Sequence, residues 1–237
     1  MTIIKICGLT SAEEAVSVAG LGADIIGLVF APSRRRVSIR QAVDIVKLLK
    51  KSPHCPALAG VFVNELPQVV NDTAERCGLD MVQLSGDETW DYCSMLTTPF
   101  IKVIHVTQTC TIAHAVEDVE AGYKARYRHP FICMLDGKTD GRYGGSGNSF
   151  DWSIAAAACA RFPLMVAGGL SPANVRQLIH RAAPAGVDVS TGVESAGKKD
   201  IEKVRDFISS VRLTGGRDTN GSELLKTILF KGEKNVT

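Results

Sequence analysis

Short apolar runs rich in β-branched residues alternate with segments of helical period along most of this chain. The apolar runs predict strands at Ile3–Cys7, Asp24–Phe30, Leu58–Val63, Met81–Leu84, Ile101–Val106, Phe131–Leu135, Leu164–Ala167 and Val187–Ser190. Between them lie helix patterns. The first opens at Ser11, with Glu14 three residues on as a capping-box partner. The next run over Ile39–Lys50, Leu66–Cys77, Trp90–Leu96, Ile112–Tyr123, Ser153–Cys159, Pro172–Ala183 (with a proline near its start) and Asp200–Val211.

The strands read as continuous apolar stretches, the pattern of a parallel sheet covered on both faces. Eight strand–helix units in this length suit a closed α/β architecture, a (β/α)8 TIM barrel, better than an open doubly wound sheet. No Pro/Gly/Ser linker interrupts the alternation, so residues 1–213 read as one barrel domain. From Thr214 the chain turns loop-like and polar, with one short helix pattern at Glu223–Phe230. Residues 214–237 read as a C-terminal extension, loose or docked on the surface.

Composition narrows the function classes. The 237 residues carry 27 Lys+Arg against 25 Asp+Glu, so no basic excess supports nucleic-acid binding. Aromatic residues make up only 6%, which also disfavours a base-stacking surface. No apolar run approaches the roughly 20 residues needed to cross a bilayer, and Met1–Ile6 has no signal-peptide character. The seven cysteines are odd in number, scattered, and contain no C-x-x-C, against both a disulfide framework and a zinc site. A cytoplasmic location is therefore expected. Monomer and homodimer stay equally open.

Barrel active sites lie at the C-terminal ends of the strands. Gly144-Gly145-Ser146-Gly147 follows strand six, Gly168-Gly169 ends strand seven, and Ser190-Thr191-Gly192 ends strand eight. Glycine lets backbone N–H groups approach an anion, and helix N-termini add a favourable dipole, so these exits suggest a phosphorylated small-molecule substrate. Cys7, at the end of strand one, is either a small hydrophobe in the mouth or a reactive thiol. Asp136, directly after an apolar strand, is costly there unless solvated, paired or used. Arg34, Arg35 and Arg36 form either a solvated cationic loop or a guanidinium site for a ligand carboxylate.

Together these positions resemble the phosphoribosylanthranilate isomerase family of tryptophan biosynthesis. The matching strings are K-I-C-G-L-T at Lys5–Thr10, G-A-D-I-I-G-L-V-F at Gly22–Phe30, S-R-R-R-V-S at Ser33–Ser38 and G-V-F-V-N at Gly60–Asn64. They continue with V-Q-L-S-G-D-E at Val82–Glu88, L-D-G at Leu135–Gly137, G-G-S-G-N-S-F-D-W at Gly144–Trp152, A-G-G-L-S-P-A-N-V at Ala167–Val175 and V-D-V-S-T-G-V-E-S at Val187–Ser195. The resemblance implies a cofactor-free, metal-free Amadori rearrangement of N-(5-phosphoribosyl)anthranilate to 1-(2-carboxyphenylamino)-1-deoxyribulose 5-phosphate. It assigns the general base to Cys7 and the general acid to Asp136. It gives the anthranilate carboxylate to Arg35, with Arg36 as a possible substitute because this loop is one residue short. The 5′-phosphate then falls to the glycine-rich exits, with Gly144, Gly145, Gly168, Gly169, Ser190 and Gly192 as the binding residues.

Three features depart from the family or compete with these roles. Ser85 stands where the family often has histidine, and the tail after Thr214 has no counterpart. Asp140, near Asp136, is a second carboxylate that competes for the acid role. None of the five histidines falls at an expected catalytic strand end, so histidine catalysis is not expected. The nearest rival reading is the histidine-pathway sugar-phosphate isomerase, whose two carboxylates do not match a cysteine at position 7. A non-catalytic phosphate-binding barrel is the alternative of another class, and it leaves Cys7 and Asp136 without a purpose.

Overall fold

A computed structural model describes residues 1–137 and 150–214. Eight parallel strands close into a barrel in chain order: β1 (Ile3–Cys7), β2 (Ile25–Val29), β3 (Ala57–Phe62), β4 (Met81–Leu84), β5 (Phe100–Val106), β6 (Phe131–Gly137), β7 (Leu164–Val166) and β8 (Gly186–Val189). Closure is made by β1 pairing with β8, with Lys5 opposite Asp188. The helices are α1 (Ala12–Gly20), α2 (Ile39–Leu49), α3 (Pro67–Cys77), α4 (Trp90–Cys93), α5 (Ile112–Lys124), α6 (Trp152–Cys159), α7 (Val175–Ala182) and α8 (Ile201–Leu213). The extension expected from Thr214, with its helix at Glu223–Phe230, lies outside the described residues apart from Thr214 itself. Among the described residues no helix is long and apolar enough to cross a membrane.

Side chains alternate across each strand, so one set faces the helices and the other fills the barrel. The outer set, including Ile4, Ile26, Leu58, Val82, Leu135 and Val187, packs against the apolar faces of the helices. The inner set (Ile3, Ile25, Ala59, Met81, Ile101, Val103, Ile132, Met134, Met165) forms a separate apolar plug. This plug closes the barrel below the mouth, and among the described residues the polar groups of the inner face gather at the C-terminal strand ends. Arg212 on α8 ties the last helix to the first strands, donating to Thr2 O at 2.9 Å and to Asp24 Oδ2 at 2.8 Å.

Some elements differ from the sequence expectation in informative ways. Ser38 and Gln41 make a complete capping box on α2. Ser11 caps α1, but Glu14 reaches past the cap to Thr10 N and, with its other oxygen, to Lys199 N at 3.0 Å. The carboxylate thus joins the first loop to the region after β8. Helix α7 begins at Val175 rather than Pro172 because Asn174 ties the preceding turn, accepting from Ser171 N and donating to Gly169 O, both at 2.8 Å. Strand β6 continues to Gly137, so Asp136 lies within the ladder and not after it. After β8 comes an unexpected hairpin, β9 (Glu194–Ser195) and β10 (Lys198–Lys199). Its two central residues, Ala196 and Gly197, both have positive φ, as tight primed turns require.

Candidate active site

Following the inner face of each strand upward from the plug leads to a ring of polar residues. On β1, Ile3 is succeeded by Lys5 and Cys7; on β4, Met81 by Gln83; on β5, Val103 by His105; on β6, Met134 by Asp136. On β8 the inner position is Asp188, with Ser190 just beyond. The period-two alternation that builds the plug therefore aims Cys7 and Asp136 at the same interior.

At the centre sits Lys5, whose side chain has no exposure to solvent. Its Nζ donates to Asp188 Oδ1 at 2.7 Å and also acts on the Cys7 thiol by charge and hydrogen bonding. Burial disfavours the ammonium, but the attraction of Asp188 and Cys7 outweighs it and pushes Lys5 up to about 12. Gly27 on β2, directly opposite Cys7, makes the room for this arrangement. A Cβ there would lie 2.7 Å from Cys7 Sγ and 3.1 Å from Lys5 Nζ. Burial pushes the Cys7 thiol above its ordinary value; Lys5 and Lys199 pull it down, while Asp188 pushes it further up.

Asp136 is raised to about 7. Burial is the main cause and the negative charge of Asp188 adds to it, against an opposing pull from Lys5. The same ion pair thus acts on both Cys7 and Asp136. A carboxyl group with that value holds a proton at neutral pH part of the time, which suits a general acid. His105, on the inner face of β5, stands in register with Asp136, and its Nε2 lies 3.0 Å from Ser85 O.

A second cluster closes the mouth beside β1 and β8. Glu194 on β9 binds Arg35 through two hydrogen bonds, Nε to Oε1 at 2.7 Å and Nη2 to Oε2 at 3.1 Å. The same carboxylate holds Arg34 and, at 2.9 Å, Lys199 Nζ. Burial alone would raise the Glu194 carboxyl, but hydrogen bonds from Arg35 and Lys199 hold it below its ordinary value. Lys199, buried, also donates to Ser190 O at 3.0 Å, and burial depresses it. Arg35 folds over Gly8: a Cβ on that glycine would lie 2.4 Å from Arg35 Cδ. Arg36, by contrast, is exposed.

The structure brings together Cys7, Asp136, Arg35 and Ser190, whose Oγ donates to Cys7 O at 3.0 Å. Gly168 and Gly169 both take positive φ, and a Cβ on Gly168 would lie 2.6 Å from Gly137 N and 3.0 Å from Asp136 Oδ1. The β7 exit therefore packs directly on Asp136. Gly192 approaches Leu170 so closely that a Cβ would lie 1.8 Å from Leu170 O, which locks the β7 and β8 exits together. Gly144, Gly145 and Asp140 lie outside the described residues. Sequence reasoning overlooked Lys5, Asp188, Glu194 and Lys199. Lys5, Asp188 and Glu194 are charged residues within matched strings and Lys199 lies just beyond the last one, yet nothing in a linear pattern shows which charges will be buried.

A closed (β/α)8 barrel with a buried thiol, a carboxyl group raised to about 7 and a buried lysine gathered at its C-terminal mouth has the architecture of a barrel enzyme. Comparison with known proteins makes this specific. The profile of N-(5′-phosphoribosyl)anthranilate (PRA) isomerase matches residues 4–210, and the chain belongs to that family. The N-(5′-phosphoribosyl)anthranilate isomerase of Dehalococcoides mccartyi is 44% identical over 212 residues, covering 90% of this chain and 96% of its own. The crystal structure of phosphoribosyl anthranilate isomerase from Thermotoga maritima superposes with a TM-score of 0.76 at 35% identity, covering 90% of this chain and 99% of that one. A further isomerase structure, solved in complex with reduced 1-(o-carboxyphenylamino)-1-deoxyribulose 5-phosphate, has a TM-score of 0.73 at 34% identity over 90% of this chain and 99% of its own.

The tight junction at Gly192 has a measurable consequence. Gly192→Ala is expected to lower stability by about 2–3 kcal/mol, because the methyl group overlaps the Leu170 carbonyl. Gly20→Ala, at the end of α1 with open space around it, serves as the control and is expected to be neutral or stabilising by up to about 1 kcal/mol. Urea unfolding of the two variants checks this; equal midpoints would mean that the β7–β8 junction yields easily.

Proposed function

We propose that this chain catalyses the rearrangement of N-(5-phosphoribosyl)anthranilate to 1-(2-carboxyphenylamino)-1-deoxyribulose 5-phosphate, with Asp136 as acid and Cys7 as base. The observation that carries this reading is the shared electrostatic environment of the two groups, both facing the barrel interior beside the Lys5–Asp188 pair. Protonated Asp136 gives its proton to the furanose ring oxygen as the C1′–O bond breaks and the anthranilate nitrogen forms a C1′ iminium. The Cys7 thiolate then removes the C2′ proton, which the iminium has acidified. The resulting enolamine tautomerises to the ketone, and the net transfer leaves a proton on sulfur that must return to Asp136 before the next cycle. This chemistry uses only groups of the chain and the substrate itself.

The two ends of the substrate are held by different parts of the mouth. Backbone N–H groups near Gly169 and Gly192, with the segment containing Gly144 and Gly145, receive the phosphate. Arg35 is favoured over Arg36 for the anthranilate carboxylate because it is held over Gly8 by Glu194, whereas Arg36 is exposed. Two-ended anchoring sets the C2′ proton between acid and base. We further place the catalytic barrel at residues 1–213, with 214–237 as an extension. Residence in a reducing cytoplasm fits the free thiols of Cys7, Cys77, Cys93 and Cys133, all buried.

The direct test is a fluorescence assay with freshly made phosphoribosylanthranilate, in which substrate loss reads out the reaction. Cys7→Ser and Asp136→Asn are each expected to lower kcat by about 10²–10⁴-fold with little change in substrate affinity. Arg35→Ala is expected chiefly to raise KM. Wild-type turnover in both of the first two variants would remove the acid–base assignment.

The pH dependence follows from the two shifts. Asp136 must be protonated and Cys7 deprotonated, yet the acid titrates near 7 and the thiol above its ordinary value. The active form is therefore the minor partner of the singly protonated state, and its share of that state is constant. Activity rises as the first proton leaves and falls as the second leaves. The expected kcat/KM profile is a bell whose acidic limb lies at about 7 and whose alkaline limb lies above the usual thiol range. A profile flat between about pH 6 and 8 would contradict the environment assigned to Asp136.

A further inference from the structure

The reaction as drawn uses Cys7, Asp136 and Arg35 and leaves unexplained why a lysine is wholly buried among them. Lys5 is not a packing residue in disguise. Its charged end lies on the inner face of the barrel at the level where the apolar plug stops, donating to Asp188 at 2.7 Å, with the Cys7 thiol beside it. Gly27, on the neighbouring strand, is the position where any side chain would strike both Cys7 Sγ and Lys5 Nζ, so β2 has left this corner open for the pair. A buried ammonium costs several kcal/mol unless its partners offset it. One partner, Asp188, balances its charge; the other, Cys7, is the group the chemistry needs as an anion.

We propose that Lys5 is a positioning residue for the isomerisation: held by Asp188, its ammonium stands beside the Cys7 sulfur in the corner left open by Gly27 and stabilises the thiolate. The inference rests on the reading of Cys7 as base and Asp136 as acid. Among the described residues, the other charges acting on the thiol are Asp188 from β8 and Lys199 from β10, and the Arg35 side chain folds over the neighbouring Gly8. Of the two cations that pull the thiol toward its anion, Lys5 is the stronger, acting by charge and by hydrogen bond. Asp188 opposes it at Cys7 and acts with burial at Asp136. One ion pair therefore sets the two reacting groups in opposite directions: Lys5 favours the anion at the base, and Asp188 favours the neutral form at the acid. Separating the charge states of an acid and a base is the general requirement for the two roles to coexist in one site.

The test uses the full chain carrying Lys5→Met, a volume-conserving change that removes the charge. Alkylation by iodoacetamide, followed on the Cys7 peptide by mass spectrometry, reports the thiolate fraction, with exposed Cys55 as the internal reference. Alkylation of Cys7 at fixed pH is expected to slow by about ten-fold or more while Cys55 is unchanged. In parallel, kcat is expected to fall about 10- to 100-fold, with KM within about three-fold and the alkaline limb of kcat/KM moved up by about one pH unit. Lys5→Met leaves Asp188 buried without its partner, so the double variant Lys5→Met/Asp188→Asn is measured alongside it, with circular dichroism confirming the fold. Its Cys7 is expected to react more slowly than wild type and faster than in the single variant, because both opposing charges are gone. Unchanged Cys7 alkylation in the folded variants overturns the proposal, and so does slowed alkylation with an unchanged kcat. Full turnover by Cys7→Ser would instead overturn the catalytic reading, whatever the alkylation rates show.

Discussion

Closing the barrel brings a lysine on the first strand against an aspartate on the last, and the rest of the site is arranged around that contact. Lys5 and Asp188 face each other in the β1–β8 ladder, so the seam that completes the barrel is also the seam that assembles the site. Buried ion pairs are poor sources of stability, because desolvation of two charges consumes most of their attraction. Their persistence inside a barrel is better explained by what the fixed charges do to their neighbours. Here the neighbours are a thiol that is otherwise driven toward its neutral form and a carboxyl group already lifted toward neutrality.

The second organising contact lies one layer higher. Glu194 gathers Arg34, Arg35 and Lys199, and Lys199 reaches back to Ser190, which is bonded to the backbone of Cys7. Glu14 adds a link from the first loop to the same hairpin. The loops after β1, β2 and β8 are thereby tied into one unit. The Arg35 guanidinium is thereby already oriented by a buried partner, and under the proposed function this preorganisation lowers the entropic cost of binding a carboxylate. The close approach of Gly192 to Leu170 couples the β8 exit to β7 in the same way.

Much of this was legible in the chain. The eight apolar runs correspond to eight strands in chain order, because a strand covered on both faces must be apolar along its length. Cys7, Arg35, Gly168, Gly169, Ser190 and Gly192 were found as strand-exit residues, and the structure places them around one mouth. Asp136 was found for the same reason, although it belongs to β6 itself as the strand's penultimate residue. The β9–β10 hairpin escaped because two-residue strands carry no periodic signal.

Local pattern by itself determined the order of the elements, the barrel class and the residues at the strand ends, since alternation and turn chemistry are properties of short segments. Pairing was decided only in three dimensions. Lys5 and Asp188 are 183 positions apart, as are Cys7 and Ser190, and Arg35 and Glu194 are 159 apart. Whether such charges meet, and whether water remains between them, depends on barrel closure and on the space left at Gly27. Burial strengthens electrostatic interactions several-fold over their value in water, so the same residue types carry different chemistry once the fold has excluded solvent.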